Sequence, residues 1–178
     1  MTEEEKTKIH NIWYRNNMKY YNKKKLKSKT LENTPKYDFK DETRWCKVLS
    51  CYDGDTITVA ICLEKKISQI KVRMNGYDSP EMKPRLNKPY RDQEIIEAKK
   101  SKKALEDKIL NKLVKISIDG FDKYGRLLGV IYLKITTGKM FNKTNTYENI
   151  NNYMIKNNFG YIYNGGTKKN IDYEETKK

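Results

Sequence analysis

WCKVLSCYDGDTITVAICL, residues 45–63, carries the clearest strand pattern in the chain. Apolar and polar residues alternate on both sides of a central Asp53-Gly54-Asp55, and a period of two is the spacing of a strand whose side chains point to opposite faces. Asp-Gly suits a tight hairpin turn. The stretch therefore reads as two antiparallel strands, Trp45 to Tyr52 and Thr56 to Leu63, with Ile57, Val59, Ile61 and Leu63 on one face. A β-rich domain starts here.

Toward the C-terminus a third strand runs from about Ile67 to Gly76. Ile70, Val72 and Met74 point one way, so Lys71, Arg73 and Asn75 occupy the other face, and Arg73 is placed to face a site. The next segment, Tyr77 to about Arg91, contains Pro80, Pro84 and Pro89, which exclude a helix or a central strand. Gln93 to Leu113 then reads as a helix with Ala98, Ser101, Leu105, Ile109 and Leu113 along one stripe. Strands are expected at Val114 to Ile118 and Leu127 to Ile135, followed by a polar loop and a second helix around Ile150 to Asn157.

Residues 1 to about 43 carry many charges, a Lys23-Lys24-Lys25 run and few apolar residues, among them Ile9, Ile12, Trp13, Tyr20 and Tyr21. Their spacing supports one amphipathic helix. Two readings stand: an arm adding basic and aromatic contacts to nucleic acid, or serving as a nuclear localisation signal, and a solvated extension packed through Trp13. The chain divides into this extension, a domain at 44–166 and a polar tail at 167–178. At 178 residues it holds one well-buried domain rather than two.

A formal net charge of +15, spread along the whole length, points to a polyanionic partner, although charge alone does not separate nucleic acid from a membrane surface. No stretch approaches the roughly 20 consecutive apolar residues of a membrane helix, and Thr2-Glu3-Glu4-Glu5 is unlike a signal peptide. A soluble, intracellular protein is the expectation. Cys46, Cys51 and Cys62 lie in apolar, strand-like surroundings and read as buried free thiols. His10 is the single histidine and lies in the extension, which argues against histidine-based triads and zinc sites.

The chemistry lies in where acids and arginines fall. Asp55 sits at the first hairpin, Asp78 and Glu81 follow the third strand in Asp78-Ser79-Pro80-Glu81, and Arg126 opens the fifth strand. Two aspartates and a backbone carbonyl form a hard, oxygen-only set that suits calcium or magnesium. Two guanidiniums can hold a phosphate bidentately, leaving one carboxylate to activate water.

Asp53-Gly54-Asp55-Thr56, Val72-Arg73 with Asp78-Ser79-Pro80-Glu81, and Asp122-Lys123-Tyr124-Gly125-Arg126 occur in this order. Asn151 follows, with Met154, Phe159 and Gly160 after it, and then Tyr163-Asn164-Gly165-Gly166. Together they resemble the staphylococcal nuclease, or thermonuclease, family, collinearly over most of residues 45 to 166. The resemblance implies an α+β domain built on a five-stranded β-barrel of the oligonucleotide-binding type, with two to three helices. It further implies a Ca²⁺-dependent nuclease of low sequence specificity that leaves 3′-phosphate and 5′-hydroxyl ends on DNA or RNA.

By motif match Asp55, Asp78 and the Ser79 carbonyl would hold Ca²⁺, Glu81 would be the general base, and Arg73 and Arg126 would bind and stabilise the phosphate. Lys123 and Tyr124 would touch substrate phosphate, Tyr163 would stack on a base, and single-stranded or melted nucleic acid would be the preferred partner. Departures from the family pattern are the loop from Met82 to Arg91 and the segment Thr136 to Asn149, longer than the family's short turn. The rival reading is a module of the same fold that binds nucleic acid or protein without cutting.

Overall fold

A computed structural model describes residues 2–36, 39–63, 66–138 and 142–166. The chain divides into two compact units, 1–37 and 38–178. In the first, helix α1 spans Glu3–Leu26. The Thr2 hydroxyl accepts from the Glu5 N–H and the Glu5 carboxylate accepts from the Thr2 N–H, a reciprocal cap that satisfies two otherwise orphaned donors. Acids in its first turn and lysines in its last both complement the helix dipole. The side chain of Trp13 lies outside the described residues.

Alternating aliphatic residues build the second unit. Strands β1 (Thr43–Cys51), β2 (Thr56–Leu63) and β3 (Lys66–Met74) form an antiparallel meander, and β5 (Leu113–Phe121) and β6 (Leu127–Thr137) form a hairpin that pairs with β1 through β5. A parallel pairing of Val72 to Met74 with Leu127 to Gly129 joins β3 to β6 and closes five strands into a barrel. Closure removes the two sheet edges and turns every second side chain inward. Val48, Ile57, Val59, Val72, Met74, Ile116, Ile118 and Ile131 fill the interior and are buried. This is the five-stranded α+β barrel expected of the oligonucleotide-binding type.

Helix α2 (Arg91–Ile109) lays Ala98, Ser101, Leu105 and Ile109 against the barrel, as the stripe requires. It ends four residues before Leu113, which instead opens β5 and stands exposed. The stop comes from Leu110, whose ψ of 135° is extended, and from Asn111 at φ +61°, a left-handed conformation that asparagine adopts more readily than most residues. Helix α3 (Ile150–Lys156) is capped by the Asn149 side chain, which accepts from the Asn152 N–H. Its Asn151 is buried and accepts from the Ile131 N–H while donating to the carbonyls of Asn75 and Gly129, so it pins the seam where β3 meets β6.

Three further departures bear on the site or its surroundings. The segment read as a polar loop contains strand β7 (Thr144–Asn149), which extends the sheet by pairing along β6 from Tyr132 to Thr137. Two-residue strands β4 (Tyr77–Asp78) and β8 (Tyr161–Ile162) pair with each other and tie the proline-rich loop to the C-terminal segment. Cys46 and Cys51 are buried free thiols, their pKa pushed up to about 12 chiefly by burial, but Cys62 is exposed near the end of β2. The β1–β2 register places Cys62 beyond the buried Ile61, on the outward face.

Candidate active site

At the β1–β2 turn, Asp53 Oδ1 accepts from the N–H groups of Asp55 and Thr56 at 3.1 and 2.7 Å, so the turn is held by its own aspartate. Gly54 is needed there because of close packing. A Cβ on it would collide with Ser101 Oγ and lie 2.8 Å from Ser79 Cβ, and the buried Tyr77 hydroxyl donates to its carbonyl at 2.6 Å. This close approach sets Asp55 beside the loop that follows β4. Asp55 Oδ2 accepts from the Ser79 N–H at 2.8 Å and Oδ1 from the Thr56 hydroxyl at 3.0 Å.

Arg73, on the outward face of β3 as its alternation predicts, lies between the two aspartates. Its Nη2 donates to Asp78 Oδ1 at 2.8 Å, its Nε is 3.3 Å from Asp55 Oδ1, and its Nη1 donates to the Met74 carbonyl at 2.6 Å. Asp55 and Asp78 are 4% and 2% exposed. Two buried carboxylates therefore share one guanidinium. Burial, opposed by Arg73 and reinforced by Asp53 and Asp78, pushes the Asp55 carboxyl up to about 7.

The β5–β6 turn supplies the second arginine. Partial burial works to raise Asp122, but the backbone N–H groups of Arg126 and Tyr124 and the Arg126 guanidinium together hold its carboxyl below the usual range. Asp122 Oδ1 accepts from both N–H groups, and Oδ2 accepts from Arg126 Nε at 2.6 Å. With Nε fixed, the other end of the guanidinium reaches toward Thr56, Nη1 to Oγ1 at 3.4 Å. The side chains of Lys123 and Arg126 both lie over the exposed Tyr124 ring.

Asp55, Arg73, Asp78, Ser79, Glu81, Lys123, Tyr124, Arg126 and Tyr163 all line one open cleft of about 520 Å³. The sequence reading thus collects into a single place. Residues it missed hold this cleft in shape. The Tyr161 hydroxyl donates to Asp78 Oδ2 at 2.8 Å, from across the β4–β8 pairing. Glu94, 2% exposed in the first turn of α2, accepts from the Glu81 N–H at 3.3 Å and from Lys88 Nζ at 2.9 Å, fastening both ends of the intervening loop. Glu94 lies four residues before Ala98 on the buried stripe, a visible signal that an acid is turned inward. Tyr161 gave no such signal.

A divalent ion fits this donor set. Asp55 and Asp78 offer hard carboxylate oxygens on either side of Arg73, and the Ser79 carbonyl belongs to the same turn. Among the described residues no group of three or more His, Cys, Asp or Glu forms a protein cage. An ion held by two carboxylates would keep coordination positions for phosphate and water.

An oligonucleotide-binding-type barrel that gathers acids and arginines in one cleft is the class of domain to which fold and site point. The staphylococcal nuclease homologue model matches residues 71–178, and the chain belongs to that family. It is similar to a Haemophilus influenzae protein described as an uncharacterized endonuclease, 32% identical over 122 residues, which make up 68% of this chain and 54% of that protein. The chain thus spans about half the length of this relative. Among the described residues no helix is long and apolar enough to cross a membrane.

Proposed function

We propose that the protein is a Ca²⁺-dependent nuclease that hydrolyses phosphodiester bonds of DNA or RNA, with little sequence preference, to 3′-phosphate and 5′-hydroxyl ends. One observation carries the reading: Asp55, Asp78, Glu81, Arg73 and Arg126, from three separate parts of the chain, line the same cleft. Membership in the nuclease family and the endonuclease description of a relative support it.

Asp55, Asp78 and the Ser79 carbonyl would hold the ion. When bound, Ca²⁺ supplies charge neutralisation at the scissile phosphate and helps to orient it. Glu81 takes a proton from water as the water oxygen bonds to phosphorus. The bond from phosphorus to the 5′ oxygen breaks, and the departing oxygen takes a proton from solvent water to become the 5′-hydroxyl, while phosphate stays on the 3′ side. Arg73 and Arg126 balance the additional negative charge of the five-coordinate transition state. Asp122 sets the orientation of Arg126, and Glu94 sets the position of the Glu81 backbone. Lys123 and Tyr124 extend phosphate contact along the strand, and Tyr163 gives a face for stacking an unpaired base.

The test is cleavage of labelled single-stranded DNA and RNA with Ca²⁺ and with excess chelator, using the intact chain and Glu81→Gln. Metal-dependent cleavage lost in Glu81→Gln is the expected result. Cleavage persisting in chelator refutes the metal's role, and binding without cleavage selects the non-cutting module.

A further inference from the structure

The outward face of β1, β5, β6 and β7 carries a cluster that the cleft does not use. Trp45 is directly opposite Lys115, Lys115 opposite Tyr132, and Tyr132 opposite Asn149, while Lys134 is opposite Tyr147 and Lys47 opposite Leu113. The Trp45 and Tyr147 rings are 6.5 Å apart, and Lys115 Nζ lies 5.2 Å from one centroid and 4.2 Å from the other. Both rings remain 48% and 43% exposed, and Leu113 beside them is 65% exposed. Single exposed apolar residues are ordinary, but a contiguous set marks an interaction surface.

Its charge is one-sided. Among the described residues, the outward positions of these strands over 43–47, 113–117, 130–136 and 144–149 hold Lys47, Lys115 and Lys134 and no acid. Glu148 belongs to the opposite face, where it pairs with Lys108 at 2.9 Å. The cluster exists because of β7, whose Tyr147 covers Lys115 from the far side of β6. Trp45 lies six residues before Cys51, so the patch stands roughly 20 Å along the barrel from the β1–β2 turn.

We infer that this face is a second binding surface for single-stranded nucleic acid, on which unpaired bases stack against Trp45 and Tyr147 while Lys47, Lys115 and Lys134 meet phosphates. Ammonium groups interleaved with ring faces match the alternation of phosphate and base along a single strand. An acidic protein surface would engage the lysines and leave the rings without a role. A strand long enough to reach both places is held more tightly than one that fills the cleft alone, because the second contact becomes intramolecular.

The experiment uses the full chain with Glu81→Gln in excess chelator, so that nothing is cut. Trp13→Phe leaves Trp45 the only indole. Titration with oligo-dT of roughly 30 nucleotides quenches Trp45 fluorescence, and the paired Trp45→Ala and Tyr147→Ala change, followed by the anisotropy of end-labelled oligo-dT, weakens binding by about thirty-fold or more, with oligo-dT of roughly 8 nucleotides much less affected. Replacing Lys47, Lys115 and Lys134 by Ala lowers the slope of log affinity against log salt by about 2. Unquenched Trp45 with unchanged long-strand affinity overturns the inference. So does a loss of self-association or of protein binding in the ring variants while oligonucleotide affinity stays put, measured by sedimentation. Quenching by a chain that cuts nothing under any condition supports this surface and sinks the nuclease reading; cutting without quenching does the reverse.

Discussion

Tyr161→Phe removes one oxygen atom and tests how the site is held. The hydroxyl donates at 2.8 Å to Asp78 Oδ2, and Asp78 is 2% exposed. A hydrogen bond to a charged, buried acceptor is worth about 1.5–3 kcal/mol, because water no longer reaches the acceptor to replace the donor. The Phe ring keeps the packing, and the main-chain β4–β8 pairing remains, so the loss is confined to that bond. Burial, and then the bond to Asp78 itself, push the Tyr161 hydroxyl well above the ordinary tyrosine range, so it stays a donor through neutral pH. For a chain of this size each kcal/mol shifts the melting temperature by about 2–4 °C, which places the variant about 3–12 °C lower in chelator. Urea unfolding followed by circular dichroism measures the free energy directly. A variant within about 0.5 kcal/mol of the parent refutes the claim that Tyr161 holds Asp78.

Glu81→Gln should lower the cleavage rate about 10²- to 10⁴-fold while oligonucleotide affinity in chelator is preserved, as quenched-flow and anisotropy would record. Arg126→Lys keeps the charge but loses the fork that binds Asp122 and reaches toward Thr56; a fall of about 10²- to 10³-fold in kcat with little change in fold stability is expected from steady-state rates. Asn151→Ala removes three hydrogen bonds at the β3–β6 seam, two of them buried, and should cost about 2–5 kcal/mol in denaturant unfolding. The Asp55 carboxyl, raised from 3.8 to about 7, binds its proton more tightly in the folded chain than in the unfolded one. Its contribution to metal-free stability is therefore complete below pH 4 and is lost as pH rises through 7. Denaturation in chelator between pH 5 and pH 8, with net charge effects measured in Asp55→Asn, checks the sign.

The β1–β2 hairpin was legible because its signal is local: strict alternation and an Asp-Gly turn, both dictated by geometry within a few residues. The end of α2 was not, because Leu113 continues the apolar period of the stripe while the chain has already turned at Asn111; nothing in periodicity distinguishes a buried helical leucine from one that opens a strand. β7 was hidden for a related reason. Its residues, Thr144 to Asn149, are mostly polar, and only pairing with β6 makes them a strand. At the site, Asp55, Asp78 and Arg73 were found through turn and strand position, whereas Tyr161 acts across 83 residues of chain and carries no local mark.

The arrangement of the cleft follows from what a barrel does with charges. Closing five strands turns alternate residues into an apolar interior, so acids and arginines that act together must be placed at strand ends and on the outer face. Asp55 enters β2, Arg73 lies near the end of β3, Asp78 follows it in β4, and Arg126 immediately precedes β6; the β3–β6 seam brings these ends side by side. Two aspartates buried around Arg73 are costly in the metal-free chain: burial, reinforced by Asp53 and Asp78, raises the Asp55 carboxyl to about 7 even against Arg73. That cost is the physical basis of the proposed cation: an ion held there would offset the repulsion between Asp55 and Asp78 and let Arg73 meet a phosphate. Ca²⁺ added to the chelator-treated chain at pH 8 should raise its unfolding free energy, and Asp78→Asn should abolish that rise; a chain equally stable with Ca²⁺ and in chelator would remove the case for a cation at this place.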